Sequence, residues 1–344
     1  MPLPGRGLVT TASPLLEARS LSRTFDVGTG GLGLRRQTLR AVDDVSFALS
    51  PGKVTALVGQ SGSGKSTIAR LLLRLYAPTS GSILLGDEDV SRIRGRRNLR
   101  RYRSEVQMIF QDPFGSLNPV KRVGHHIARP LRRHKVVPSR EVDERVHELL
   151  DAVGLTPPEV IAAKYPHELS GGQRQRVAIA RALAVEPKVV IADEPVSMLD
   201  VSIRLGVLNL ILELKERRDL AFLYITHDLA SARYVADEIL VLYAGQVVER
   251  GPTDEVLLDP LHPYTQLLLS AVPNPGAGLQ TEELPERKQT VFAAPDAEAC
   301  RFVDRCPFAF ETCGSVAPQL TSVRIEHDVR CHLFGQPTTS RGID

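Results

Sequence analysis

An α/β domain with a largely parallel sheet is the fold class this sequence predicts, and three observations predict it. Short β-rich apolar runs alternate with helical patterns from about residue 15 to 250. One such run, Val54-Thr-Ala-Leu-Val58, feeds directly into a Gly-rich loop and then an amphipathic helical pattern. The composition is globular, with 42% hydrophobic and 24% charged residues over 344 positions, enough chain to bury a sizeable core.

Charge and hydropathy exclude several classes. The net charge of +3, from 43 basic against 40 acidic residues, is too small for a protein that coats nucleic acid. No stretch approaches the roughly 18 consecutive apolar residues of a membrane span. The N-terminal residues lack the apolar core of a secretory signal, which points to the cytoplasm. The chain divides into a flexible tail over 1–14, a main domain over 15–250, an extension and Pro-rich linker over 251–298, a Cys-bearing segment over 299–335, and a tail over 336–344. Within the main domain the run Val27 to Gly33 reads as a Gly-rich loop between strands. The Arg-dense stretch Ser91 to Arg103 lacks interleaved aromatics beyond Tyr102 and reads as a solvated basic helix face, so no nucleic-acid partner is expected.

After the strand at 54–58 comes Gly59-Gln-Ser-Gly-Ser-Gly-Lys-Ser-Thr67, a P-loop. Gly59, Gly62 and Gly64 let the backbone bend so that N–H groups, with Ser61, Ser63 and Thr67 among their bearers, face a phosphate. Lys65 supplies a point charge, and Ser66 holds Mg²⁺. Ile68, Leu71, Leu72 and Leu75 recur at helical spacing, so a helix starts at the loop, and Ala77-Pro78 ends it. Val189-Val-Ile-Ala192 is a second buried strand, ending in Asp193 and Glu194. This pair resembles a Walker B strand, with Asp193 reaching Mg²⁺ and Glu194 polarising the attacking water.

Leu169-Ser-Gly-Gly-Gln173 precedes a helical pattern over Arg174 to Ala184, so Ser170 caps a helix whose first N–H groups, at Gly171, Gly172 and Gln173, stay bare for an anion. This pentapeptide resembles the signature of the ATP-binding cassette family. The likeness covers about 15–250 and brings further elements in order: Gln111 before Asp112-Pro113, Ser197-Met-Leu-Asp200, and His227 after the apolar run 221–226. The resemblance implies a P-loop NTPase core of RecA type with an antiparallel β subdomain and a helical signature subdomain. It further implies that Gln111 and His227 sense the γ-phosphate, Gln111 through Mg²⁺ or water, that Asp200 of the D-loop belongs to the nucleotide-binding set, and that Phe25 stacks on adenine.

Phe110 to Pro119, Tyr165 to Arg176, Leu199-Asp-Val-Ser202, His262-Pro-Tyr264 and the trailing Cys segment look like the ATPases of oligopeptide and dipeptide importers. That resemblance implies an ATP- and Mg²⁺-dependent subunit on the cytoplasmic face of the cell membrane. Its implied partners are a second identical or homologous ATPase, two transmembrane permeases and an extracytoplasmic solute-binding protein. Nickel or other small-solute importers use similar motifs; a soluble cassette acting on ribosomes or DNA is disfavoured by the single P-loop and single signature.

Cys300, Cys306, Cys313 and Cys331 are the four cysteines of the chain, spaced C-x5-C-x6-C-x17-C. Structural zinc, an iron–sulfur cluster and free thiols in a docked tail are the three readings of the residues. The resembled subunits carry this Cys set, which favours a 4Fe–4S cluster over zinc. The segment is too short to fold without a metal or docking onto the main domain.

Overall fold

The computed structural model describes residues 13–27, 37–271 and 298–335. Most of both expected tails, the Gly-rich loop beyond Val27 and the Pro-rich linker lie outside the described residues. The strands in chain order are β1 (Leu16–Val27), β2 (Gln37–Leu49), β3 (Val54–Val58), β4 (Ser80–Leu85), β5 (Glu88–Asp89), β6 (Val106–Ile109), β7 (Val189–Asp193), β8 (Ala221–Thr226), β9 (Glu238–Tyr243), β10 (Gln246–Pro252), β11 (Thr321–Arg324) and β12 (His327–Val329). The helices are α1 (Lys65–Leu72), α2 (Arg96–Glu105), α3 (Pro113–Ser116), α4 (Val123–His134), α5 (Val142–Ala152), α6 (Pro158–Ala163), α7 (Gly171–Leu183), α8 (Val201–Arg218), α9 (Leu229–Val235), α10 (Thr253–Leu258), α11 (Pro263–Ser270) and α12 (Glu311–Ser315).

Two sheets result. A four-stranded antiparallel sheet has the order β2-β1-β4-β5, and an eight-stranded sheet has the order β11-β12-β10-β9-β3-β8-β7-β6. The five strands from β9 to β6 are parallel, so their C-terminal ends share one edge. In a parallel sheet covered on both faces every strand residue is buried, which explains the uninterrupted apolar runs. Side chains alternate between the faces. On β7 and β8, Val189, Ile191, Ala221, Leu223 and Ile225 join one core while Val190, Ala192, Phe222 and Tyr224 join another.

The first core is closed by α1, whose Ile68, Ala69, Leu71 and Leu72 lie between the two sheets against Leu16, Leu21 and Val42. The second takes the apolar faces of α5, α7 and α8, through Val146, Leu150, Val177, Ile179, Val207 and Ile211. Truncating a fully buried member such as Leu72 or Ile211 to alanine removes about 2–5 kcal/mol of stability.

Helix α1 is shorter than its sequence pattern. It ends at Leu72 because Arg74 takes φ 53°, a left-handed conformation, and Leu75, expected on the buried face, is 51% exposed. Ala77-Pro78 therefore lies beyond the helix end. The Arg-dense stretch does form a helix, α2, with Tyr102 buried and its arginines mostly at the surface.

The Cys-bearing segment docks through the main sheet. β12 adds antiparallel to β10, pairing Glu249 with Val329 and Arg250 with Asp328, and β11 follows outside it. A buried polar knot backs the pairing: Glu249 accepts from the N–H groups of Leu261 and His262 at 2.7 and 2.9 Å and contacts His327 Nε2 at 2.9 Å. The docking route to stability is thus the one the described residues follow. No helix among them is long and apolar enough to cross a membrane.

Candidate nucleotide site

Three parallel strands and the P-loop deliver the predicted residues to one end of the sheet. The loop leaves β3 at the sheet centre, Gln111 follows β6, Glu194 follows β7 and His227 follows β8. In an open α/β sheet this edge is where ligands bind. A cavity of about 1100 Å³ lies there, lined by Gly59, Ser61, Gly62, Gly64, Lys65, Ser66, Thr67, Gln111, Glu194 and His227, with Phe25 on its rim.

The loop is built to receive an anion. Gly64 stands at the N-cap of α1 with φ 111°, and no side chain caps the helix, so its first N–H groups have no side-chain acceptor. A Cβ on Gly64 would meet the Ala41 carbonyl oxygen at 2.4 Å, and one on Gly59 would meet that of Leu242 at 2.2 Å. Lys65 is buried and folds back, donating to the Gly59 and Gln60 carbonyls at 2.6 and 3.0 Å. Burial pushes its ammonium pKa down, and the charges of Glu194 and Asp193 oppose that shift. The Ser63 hydroxyl is buried without a hydrogen-bond partner.

The carboxylates divide in character. Burial, with Glu194 alongside, pushes Asp193 above the usual carboxylate range, while the Ser66 hydroxyl and Lys65 pull it back. A half-buried carboxylate hydrogen-bonded to a serine at a phosphate-binding loop is a donor set of hard oxygens that fits Mg²⁺. Glu194 has φ 46°, an uncommon backbone for a non-glycine residue, and its N–H bonds the Ile225 carbonyl at 2.8 Å. Gln111 Nε2 donates to one of its oxygens at 2.8 Å, and His227 Nδ1 contacts the other at 2.9 Å. Three strand ends thus meet on one carboxylate. Phe25 packs edge-on to Tyr76, ring centroids 5.5 Å apart, beneath the Arg23 guanidinium.

The signature lies elsewhere. Ser170 Oγ accepts from Gln173 N–H at 3.3 Å and Gln173 Oε1 accepts from Ser170 N–H at 3.0 Å, a reciprocal capping box opening α7. Neither Ser170, Gly171, Gly172 and Gln173 nor Asp200 lines the cavity that holds Lys65. Gly172 has a packing role that the sequence did not reveal, since a Cβ there would come within 2.4 Å of Ile203 on α8.

The resemblance to transporter ATPases can now be measured. A family described as ABC transporter matches residues 42–197, and one described as oligopeptide/dipeptide transporter, C-terminal region, matches residues 248–313. The oligopeptide transport ATP-binding protein AppF of Bacillus subtilis is 42% identical over 322 residues, covering 93% of this chain and 97% of that protein. The chain belongs to the ATP-binding proteins of ABC transporters. The di/tripeptide transport ATP-binding protein DppF of Pseudomonas aeruginosa is 42% identical over 318 residues, with 92% and 97% covered. Among solved structures, the cassette cbiO1 of Clostridium perfringens aligns with a TM-score of 0.62 at 28% identity, covering 72% of this chain and 91% of that one. The dimeric cassette MJ0796 bound to ADP and Pi aligns at 0.60 and 27%, with 69% and 98% covered. ATP is the substrate expected of this ABC ATPase, with Mg²⁺.

The metal expected at the four cysteines finds no support. Among the described residues no group of three or more His, Cys, Asp or Glu side chains is placed to hold a metal ion. None of the four is in a disulfide. Burial pushes the Cys300 and Cys306 thiols up and Cys331 to about 11, and the neighbouring thiols add to the rise.

The residues that sequence reasoning missed are those that hold the P-loop from outside. Gln60 N–H donates to Tyr264 Oη at 2.9 Å, and Arg301 lines the cavity.

Proposed function

We propose that this chain is the ATP-hydrolysing subunit of an oligopeptide or dipeptide importer, bound to the cytoplasmic face of two transmembrane permeases and served by an extracytoplasmic solute-binding protein. The observation that carries the reading is the meeting of Gln111, Glu194 and His227 beside the P-loop, in a chain whose relatives are named as peptide transport ATP-binding proteins.

In this reading the bare N–H groups at the start of α1 and the Lys65 ammonium take the β and γ phosphates. Phe25 stacks on adenine. Ser66, Asp193 and Gln111 would hold Mg²⁺, which would supply neutralisation of phosphate charge. Glu194 accepts a proton from water as the water oxygen bonds to the γ-phosphorus and the bond to the β–γ bridging oxygen breaks, giving ADP and phosphate. His227 and Gln111 orient Glu194 and the γ-phosphate.

The separation of Ser170 to Gln173 from the cavity supports a shared site, in which each signature completes the cavity of a second ATPase subunit and Asp200 lies at the contact. The dimeric state of the cassette MJ0796 points the same way. Reconstitution tests the whole reading. In vesicles holding the permeases that copurify with this chain, ATP hydrolysis should rise when the binding protein carries peptide; stimulation by a nickel-loaded binding protein alone would reassign the solute.

A 4Fe–4S cluster or zinc at Cys300, Cys306, Cys313 and Cys331 rests on the clustering of the cysteines in the sequence and on the family resemblance. Iron with sulfide in anaerobically purified brown protein, or about one zinc in colourless protein, would establish either; metal-free protein leaves docked thiols.

A further inference from the structure

The Cys-bearing segment touches the P-loop. Residues 300–306 form a tight turn that includes a 3-10 helix over Val303–Arg305, and Phe302 anchors it. That ring is 2% exposed, with Tyr243, Tyr264 and His262 at centroid distances of 5.2, 5.6 and 5.7 Å. The anchor sends two guanidiniums toward the nucleotide site.

Arg305 donates to Gln60 Oε1 at 2.9 Å, between Gly59 and Ser61 of the loop. Its own guanidinium lies over the Tyr243 and Phe302 rings, 5.9 Å from each centroid. With Tyr264 Oη accepting from the Gln60 N–H, one P-loop residue is gripped at backbone and side chain by residues beyond position 260. Arg301 acts at a second point. It pairs with Asp43 and donates to the Ala244 carbonyl. The next residue, Gly245, donates its N–H to the Ser63 carbonyl at 2.8 Å.

These grips matter most when phosphate arrives. The Gly59 and Gln60 carbonyls are otherwise tied by the Lys65 ammonium, whose donors the phosphate must recruit. We propose that Arg301 and Arg305 are positioning residues for nucleotide binding, so that the C-terminal segment sets the affinity of the P-loop for ATP. The proposal rests on the cavity being the ATP site. A loop held in its binding shape loses less freedom on binding, so the segment raises affinity with little effect on the chemical step. The coupling is reciprocal: ATP must tighten the segment as the segment tightens the loop.

The test uses the full chain with MgATP, measuring equilibrium binding, steady-state hydrolysis and amide exchange. Arg305→Ala should raise Kd and KM for ATP about 3- to 10-fold, the size of a charged hydrogen bond at a half-exposed site, with kcat within about twofold. Arg305→Lys should recover most of the loss. Gln60→Ala should give the same shift, and the double variant no more than either single one, because both remove one contact. A non-hydrolysable ATP analogue should slow amide exchange over 300–306 in the wild type but not in Arg305→Ala. If exchange over 327–329 reveals that Arg305→Ala loosens the docked segment, Gln60→Ala, which leaves the segment's own residues intact, decides. Wild-type affinity in Gln60→Ala and Arg305→Ala, or shifts that add in the double variant, would overturn the proposal. Failure of the wild type to bind ATP would instead remove the functional reading beneath it.

Discussion

The P-loop end of the sheet and the signature helix both present helix N-termini, yet they are finished differently. At the P-loop no side chain caps α1, Lys65 bonds its own loop, Ser63 has an orphaned hydroxyl and Asp193, half-buried, is raised above its ordinary pKa. At the signature, Ser170 and Gln173 satisfy one another, with Ser170 exposed and Gln173 half-buried. The first region keeps unsatisfied polar groups, whereas the second is locally complete.

The sharpest way to break that contrast is at Glu194. Glu194→Gln keeps the side-chain length and a hydrogen-bonding oxygen but not the basicity, so turnover should fall by on the order of 10² to 10⁴ with ATP binding kept. Near-normal turnover in a steady-state assay would show that the carboxylate is not the base. Ser170→Arg should cut turnover by about 10²-fold, the scale of losing a positioned charge-stabilising contact, while the isolated chain still binds ATP. Loss of binding would erase the distinction between the two regions. Lys65→Ala should weaken ATP binding about 10- to 100-fold, since a charged hydrogen-bond donor is removed from a buried site; unchanged affinity in a titration would remove Lys65 from the cradle.

Asp193 gives the smallest effect and the most discriminating sign. A folded-state pKa raised above the reference of 3.8 means that the folded chain holds the proton more tightly than the unfolded chain. Its contribution favours folding at low pH and is lost as pH climbs from the unfolded value through the folded one. Above that window the ligand-free fold carries the cost of the raised pKa, so Asp193→Asn should raise Tm while abolishing the stabilisation that Mg²⁺ and ATP give the wild type. A lower Tm in the ligand-free variant, by calorimetry, would mean that Asp193 is held mainly by its hydrogen bond to Ser66.

Much of this was legible in the sequence wherever one residue run carried both structure and chemistry. Buried parallel strands need unbroken apolar runs, so 54–58, 189–192 and 221–226 announced themselves, and the groups after them could be read as strand ends. The helix after the P-loop was overestimated because Leu75 satisfies the helical spacing, whereas the left-handed Arg74 stops the helix before it. The Arg305 to Gln60 contact spans 245 positions and leaves no periodic trace. β12, at three residues, is too short to display alternation, so its pairing with β10 had no local signal. The metal expectation came from the Cys cluster and from the family resemblance, and neither fixes how side chains converge.

The pairing of β12 with β10 also bears on how the polypeptide is made. Synthesis runs from the N-terminus, and domains begin to fold as they emerge. Until His327 to Val329 leave the ribosome, β10 is an open sheet edge, and Glu249, fully buried in the finished chain, lacks its histidine partner. A nascent or truncated chain ending before that point exposes a strand edge able to capture other strands. The last-formed pairing, β12 on β10, therefore closes an edge that a chain broken off early would leave open.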